Sequence, residues 1–220
     1  MGTILSETQQ ITVVLADDHS MVREALARVL EDSGTIDVVG QVSDGSQVVA
    51  AIDETDAECL VLDYSMPDMD APQVIDALQR RQRSVKILVL TVHENIQYAV
   101  RVLEAGADGY LIKSAAVDEL VAAIKSVHGG EIYISQKISQ EVIHHLRRPK
   151  RDRTGLAALS QREFDLLRIL GAGKSLQECA KQMKVSTSTA STYRARVMEK
   201  LNLQSTAELI RFALEKDVVG

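Results

Sequence analysis

Asp63 ends a short apolar run, Cys59-Leu60-Val61-Leu62, and Pro67 follows it four residues later. The run lacks the alternation of a half-exposed strand and reads as a buried parallel strand. Ligands of open α/β sheets collect outside the carboxyl ends of the strands, so Asp63 stands on a rigid element at the rim of a packed sheet. Other strand-like runs end in chemistry too. The run from Ile11 ends at Asp17-Asp18, the one from Lys86 at Thr91, and the one from Gly109 at Lys113. In a parallel sheet these ends share one edge. Three carboxylates meeting there repel one another unless a cation joins them. Hard oxygen ligands with open positions favour Mg²⁺, which bridges to phosphate. Lys113 offers a point charge for a phosphoryl oxygen, and Thr91 a hydroxyl donor. The set is suited to forming and holding an aspartyl phosphate. A single Asp or Lys at a strand end is usually a solvated loop residue; the weight lies in their falling at successive ends.

The elements that must position these residues alternate. Strands are expected over residues 11–16, 36–42, 60–63, 86–91 and 109–113. Helices are expected over 20–30, 45–52, 73–78, 96–103 and 117–127, from apolar spacing and from glycine stops at Gly106 and Gly129-Gly130. The first of these carries apolar residues at Met21, Val22, Ala25, Leu26, Val29 and Leu30. Five strands alternating with helices give a doubly wound parallel sheet, an α/β fold.

Charge divides the 220 residues. The net charge is −6, but residues 1–146 carry −13 and residues 147–220 carry +7. An acidic half joined to a basic half points the second toward a polyanion. Cys59 and Cys179 lie far apart in apolar patterns, which reads as two reduced buried thiols in a cytoplasmic protein rather than a disulfide. No apolar run reaches the roughly 18 residues of a membrane span. The polar N-terminus lacks a signal-peptide pattern. Met1 to Ser6 fits the bare myristoylation pattern, without the basic cluster that membrane anchoring needs.

The basic half opens with a linker. Ile138, Val142, Ile143 and Leu146 repeat at helical spacing, and Arg147 to Arg153 adds five basic residues and a proline. Ser160 with Glu163, and Ser205 with Glu208, have the capping-box spacing that starts a helix. Four short helices are expected. Phe164, Leu167 and Leu170 face inward on the first, and Leu176, Cys179, Ala180 and Met183 on the second. Ala190, Val197, Met198 and Leu201 face inward on the third, and Leu209, Ile210, Ala213 and Leu214 on the fourth. The second and third, joined by a brief turn, make a helix-turn-helix. The third is small and polar at its start, so its N-terminal end can enter a major groove closely. Thr187, Thr189, Ser191, Thr192, Tyr193, Arg194, Arg196 and Lys200 are its candidate contacts to bases and phosphates.

On these residues the first half resembles a response-regulator receiver domain, the flavodoxin-like fold. The second half resembles the LuxR-type four-helix DNA-binding domain of the NarL/FixJ family, through Leu159-Ser160-Gln161-Arg162-Glu163, Gly173-Lys174-Ser175, Glu178-Cys179-Ala180 and Val185-Ser186. The implied division is a receiver over 11–130, a helical then basic linker over 131–155, and a helix-turn-helix domain over 156–220. The resemblance implies Asp63 as phospho-acceptor. It implies Mg²⁺ on Asp18, Asp63 and the Ser65 carbonyl, with Asp17 assisting. Thr91 is then the switch hydroxyl, Tyr110 the aromatic that turns inward with it, and Lys113 the partner of the phosphoryl oxygen. A sensor histidine kinase is the implied phosphodonor, double-stranded DNA the target and a homodimer the bound form. Three positions depart from the common pattern: Ala71 replaces a glycine, Ser114 a proline, and Ser191 a base-reading lysine. His93 reads as a solvent-facing loop residue. Two other functions remain open: a DNA-binding regulator whose receiver works without phosphate, and a phosphohydrolase with an Asp nucleophile. The Asp-x-Asp of one such hydrolase class is absent after the first strand.

Overall fold

The computed structural model describes residues 10–114, 117–147 and 154–219. The chain divides into two compact units. One takes the residues up to Glu94 with Ala99–Gln140; the other takes Asn95–Tyr98 and the residues from Glu141 on. The first unit runs beyond residue 130 because a further strand joins its sheet there.

In chain order the first half forms β1 (Ile11–Ala16), α1 (Ser20–Asp32), β2 (Ile36–Val42), α2 (Gly45–Thr55), β3 (Cys59–Asp63) and α3 (Ala71–Arg80). It continues with β4 (Lys86–Thr91), α4 (Ile96–Ala105), β5 (Gly109–Ile112), α5 (Val117–His128), β6 (Tyr133–Ile134) and α6 (Gln136–Leu146). The sheet order is β2-β1-β3-β4-β5-β6, parallel at every pairing. The chain winds one way from β1 to β2 and the other way from β3 on, so the carboxyl ends of β1 and β3 flank the point where the order reverses. The flavodoxin-like doubly wound sheet is therefore as expected, with six strands instead of five. The added strand is two residues long, too short for an apolar run to reveal it; Tyr133 pairs with Gly109, and Ile134 with Tyr110.

One core face gathers Val13, Leu15, Leu30, Ile36, Val61, Leu88, Leu111 and Ile124, all essentially inaccessible. Burying each such aliphatic side chain is worth about 1.5–3 kcal/mol, which holds the strands whose ends carry Asp17, Asp63 and Lys113. The inward stripe of α1 differs from its apolar pattern. Met21 is 84% exposed and Val22 and Ala25 also face out, while Ala27 and Leu30 are buried. The helix turns its Ala27–Leu30 side to the sheet and leaves its first turn at the sheet edge. Pro72 lies inside α3 near its start, where its missing N–H costs no hydrogen bond, and the Asp70 side chain caps that helix.

The second half forms a 3-10 turn (Gly155–Ala158), then α7 (Gln161–Gly171), α8 (Leu176–Gln182), α9 (Thr187–Leu201) and α10 (Thr206–Glu215). Phe164, Leu167, Leu170, Cys179, Ala180, Met183, Ala190, Val197, Leu209 and Ala213 are buried, as their spacing predicts. Leu176, Met198, Leu201 and Ile210, also expected inward, are half-buried, and Leu214 is 60% exposed, because α10 turns Leu209 and Ala213 inward and one residue on is a 100° rotation away. Two full capping boxes form, Ser160–Glu163 and Ser175–Glu178. At Ser205–Glu208 half of the box forms: Ser205 accepts from the Glu208 amide, but the Glu208 carboxylate takes the Gln204 amide instead. Gly171 lets α7 meet α10 and Val219 closely, since a Cβ there would stand 2.7 Å from Ala213 Cβ and 2.6 Å from Val219 Cγ2.

Both cysteines are free and buried, and burial pushes the Cys59 thiol up to about 12. Among the described residues no helix is long and apolar enough to cross a membrane. Arg148 to Arg153 of the basic linker, and Met1 to Ser6, lie outside the described residues.

Candidate functional site

The strand ends do converge. β1 delivers Asp17 and β3 delivers Asp63, both nearly inaccessible, and β5 is followed by Lys113. The Lys113 ammonium lies 2.7 Å from Asp17 Oδ2 and 3.2 Å from Asp63 Oδ1, tying residues 96 positions apart. Its backbone N–H donates to the Thr91 carbonyl at 2.6 Å, so the lysine leaves the sheet beside β4.

Burial pushes the Asp63 carboxyl above the usual carboxylate range. The Lys113 ammonium opposes the rise, the charges of Asp17 and Asp18 add to it, and the net direction is upward. For Lys113 burial favours the neutral amine, but the hydrogen bond to Asp17 and the charges of Asp63 and Asp17 outweigh it and hold the ammonium above its ordinary value. The site thus carries more negative charge than one lysine balances, which is the condition under which a divalent cation binds. Asp17, Asp18, His19 and Asp63 each offer one ligand atom, all within 4.8 Å of one another.

His19 had no role in the sequence reading. Its amide donates to Asp17 Oδ1 at 2.9 Å, and its Nδ1 stands 2.8 Å from Asp18 Oδ1 and 3.3 Å from Asp17 Oδ1. The signal was the adjacency Asp17-Asp18-His19. Arg23 was missed as well; its guanidinium donates to the Asp17 carbonyl at 2.6 Å and fixes the end of β1.

Thr91 is buried, with its hydroxyl oxygen accepting from the His93 amide at 3.2 Å. Tyr110 is fully buried, and its hydroxyl donates to the His93 carbonyl at 2.7 Å. One residue, through the peptides on its two sides, therefore ties the two expected switch side chains together. His93 is half-buried rather than solvent-facing, its ring edge-on to Tyr64 and its Nε2 3.4 Å from the Ser65 hydroxyl. Polar neighbours in sequence hid this, because the packing partners come from the loop after β3.

Ser65 is exposed on that loop. The loop is held from two sides: the Ala71 amide donates to the Tyr64 carbonyl at 3.0 Å, and the Gly45 amide donates to the Pro67 carbonyl at 3.2 Å. A Cβ on Gly45 would stand 2.0 Å from the Met69 carbonyl oxygen, so α2 approaches the Asp63 loop only because residue 45 has no side chain.

In the second unit α9 packs Ala190 and Val197 against α7 and α8. Ser186 caps it by accepting from the Thr189 amide at 3.1 Å. Thr187, Thr192 and Arg196 are exposed along it; Thr189, Ser191, Tyr193 and Arg194 are half-exposed. Lys200, at the far end, is already engaged: its ammonium lies 2.6 Å from Glu163 Oε2 and 3.1 Å from the Ala158 carbonyl.

Comparison with known proteins agrees with both halves. Residues 13–125 match the family model of the response regulator receiver domain, and residues 157–213 that of the bacterial regulatory proteins of the luxR family. The chain therefore belongs to the response regulators of the NarL/FixJ type, a receiver followed by a LuxR-type domain. It is 35% identical to the response regulator UvrY of Escherichia coli K12 over 204 residues, 93% of this chain and 94% of that one. It is 32% identical to the response regulator GacA of Pseudomonas aeruginosa, over 95% of this chain and 98% of the other. Among solved structures, RcsB of Salmonella typhimurium aligns with a TM-score of 0.76 at 25% identity, covering 94% and 98%. RcsB of Salmonella enterica serovar Typhimurium bound to promoter P1flhDC with phosphomimetic BeF3⁻ aligns at 0.73 and 27%, covering 93% and 98%.

Proposed function

We propose that this protein is a DNA-binding transcription regulator switched by phosphorylation of Asp63. One observation carries the reading: in a chain of this family, the Lys113 ammonium is held between Asp17 and Asp63 at the carboxyl edge of the parallel sheet. The phosphodonor is a sensor histidine kinase. An Asp63 carboxylate oxygen attacks phosphorus, the P–N bond to the donor imidazole breaks, and its electron pair leaves with the imidazole, which takes a proton from solvent.

The site suits Mg²⁺: Asp17, Asp18 and Asp63 gather there, and they would hold the ion together with the Ser65 carbonyl. An ion held there would supply positive charge against the charge that gathers on the phosphoryl oxygens. Lys113 passes from the carboxylates to a phosphoryl oxygen. The Thr91 hydroxyl leaves the His93 amide for the same group, and movement of the His93 backbone then shifts the partner of its carbonyl, Tyr110. The receiver spans 11–130 with its sheet completed by β6 at Tyr133–Ile134, the rest of 131–155 is the linker, and 156–220 is the DNA-binding domain.

The target is double-stranded DNA, read by α9 in the major groove through Thr187, Thr189, Ser191, Thr192, Tyr193, Arg194 and Arg196. Lys200 plays a lesser part while Glu163 holds it. The RcsB–promoter complex supports this reading by likeness. A homodimer would read two half-sites about 34 Å apart. Both partners place the protein in the cytoplasm.

Acetyl phosphate with MgCl₂ should add one phosphoryl group to the wild type, by intact-mass spectrometry, and none to Asp63→Asn. Equal labelling of the variant removes Asp63 from its role.

A further inference from the structure

We propose that His19 is a nitrogen ligand of the cation at the Asp63 site, and that the site therefore takes borderline divalent ions such as Co²⁺ more tightly than its three carboxylates alone would. The proposal rests on the reading of Asp17, Asp18 and Asp63 as cation ligands.

His19 stands at the N-cap of α1, and its side chain makes no cap hydrogen bond. Its ring has no structural duty in the helix. The side chain is 67% exposed, so water could serve its nitrogens; instead Nδ1 turns toward the two carboxylates, 2.8 Å from Asp18 Oδ1 and 3.3 Å from Asp17 Oδ1. The His19 amide, bonded to Asp17 Oδ1 at 2.9 Å, also holds the backbone of His19 beside these carboxylates.

The four ligand atoms from Asp17, Asp18, His19 and Asp63 lie within 4.8 Å of one another. An ion with bonds of about 2.1 Å keeps opposite ligands about 4.2 Å apart, so drawing in by a few tenths of an ångström brings all four to bonding distance. Exposed Asp18 and His19 can move that far, while buried Asp17 and Asp63 stay on the strand ends. Lys113 reaches the cluster from β5, through Asp17 Oδ2 and Asp63 Oδ1, whereas His19 approaches Asp17 Oδ1. The imidazole and the ammonium therefore use different oxygens of Asp17.

Ligand chemistry sets the selectivity. Carboxylates, carbonyls and water suit Mg²⁺, while imidazole suits later first-row ions, whose affinity for a given site rises through Co²⁺ and Ni²⁺. A neutral nitrogen adds little to Mg²⁺, which keeps several of its waters.

The test titrates Mg²⁺ and Co²⁺ separately into the full-length protein by calorimetry, for wild type, His19→Ala and Asp63→Asn. The last locates the site, since other histidines also attract Co²⁺. His19→Ala should weaken Co²⁺ about 10-fold or more and Mg²⁺ no more than about twofold. In the proton NMR spectrum of the Co²⁺ protein, a hyperfine-shifted imidazole N–H should be present in wild type and absent in His19→Ala. Equal loss of both ions, no loss of Co²⁺, or no such resonance in wild type overturns the proposal and leaves the carboxylate site standing. Failure of the wild type to bind either ion, or equal binding by Asp63→Asn, overturns the carboxylate reading, and the role of His19 falls with it.

Discussion

Lys113→Met separates the lysine's part in the resting site from that of a metal. The substitution keeps the length of the stem and removes the ammonium, leaving two nearly inaccessible carboxylates facing each other. Removing one partner of a buried ion pair costs about 3–5 kcal/mol. Asp18 and the rim of the site remain open to water, which places the cost near the lower end, about 3 kcal/mol. In a domain of this size that lowers Tm by roughly 10 °C. Lys113 has its folded-state pKa raised, so its contribution is complete below the ordinary value of 10.5 and fades only as pH rises through the folded value; at pH 7 it is fully expressed. A divalent cation should take over the lost role. At 100 times its Kd, Mg²⁺ adds about 2.7 kcal/mol to whichever form binds it, and the variant should bind it more tightly because no ammonium competes. The assay is scanning calorimetry of the full chain in chelator and in graded MgCl₂. A loss below about 1 kcal/mol in chelator, or the same Mg²⁺ response in variant and wild type, would refute the reasoning.

Two further outcomes concern the DNA-binding half. Glu163→Ala should destabilise that unit by about 2–3 kcal/mol in thermal unfolding, since it removes a capping box and a charge-assisted bond from Lys200. Burial works to raise the Glu163 carboxyl, but the bonds from Lys200 and Ser160 outweigh it and hold it below 4.5. The stability it adds is thus present above that pH and lost as pH falls through the folded value, and Glu163→Gln should flatten this acid-side dependence. Arg194→Ala and Arg196→Ala should each weaken DNA binding, and each lost phosphate contact should lower the slope of log affinity against log salt by about 1. Unchanged affinity in both would exclude α9 as the reading helix.

Much of the fold was legible because it is written in short-range patterns. An apolar run of four residues followed by Asp63 needs no knowledge of its neighbours to read as a buried strand. The capping serines and inward stripes of α7 and α8 are equally local. A two-residue strand such as β6 carries no such pattern and exists because β5 offers it an edge. Spacing likewise did not show that Met21 of α1 and Leu214 of α10 are exposed, since an apolar side chain at the end of a stripe is buried only if something stands opposite it.

By itself, the sequence determined which side chains stand at strand ends: Asp17, Asp18, Asp63, Thr91 and Lys113. Only the tertiary structure decided how they meet. The strand order β2-β1-β3-β4-β5-β6 brings β1 beside β3, and so sets Lys113 between two carboxylates from distant parts of the chain. It also made His93 the link between Thr91 and Tyr110, and turned His19 toward the acidic cluster. Strand pairing and loop packing are long-range choices, settled by register and burial across the whole sheet, and no local run of residues contains them.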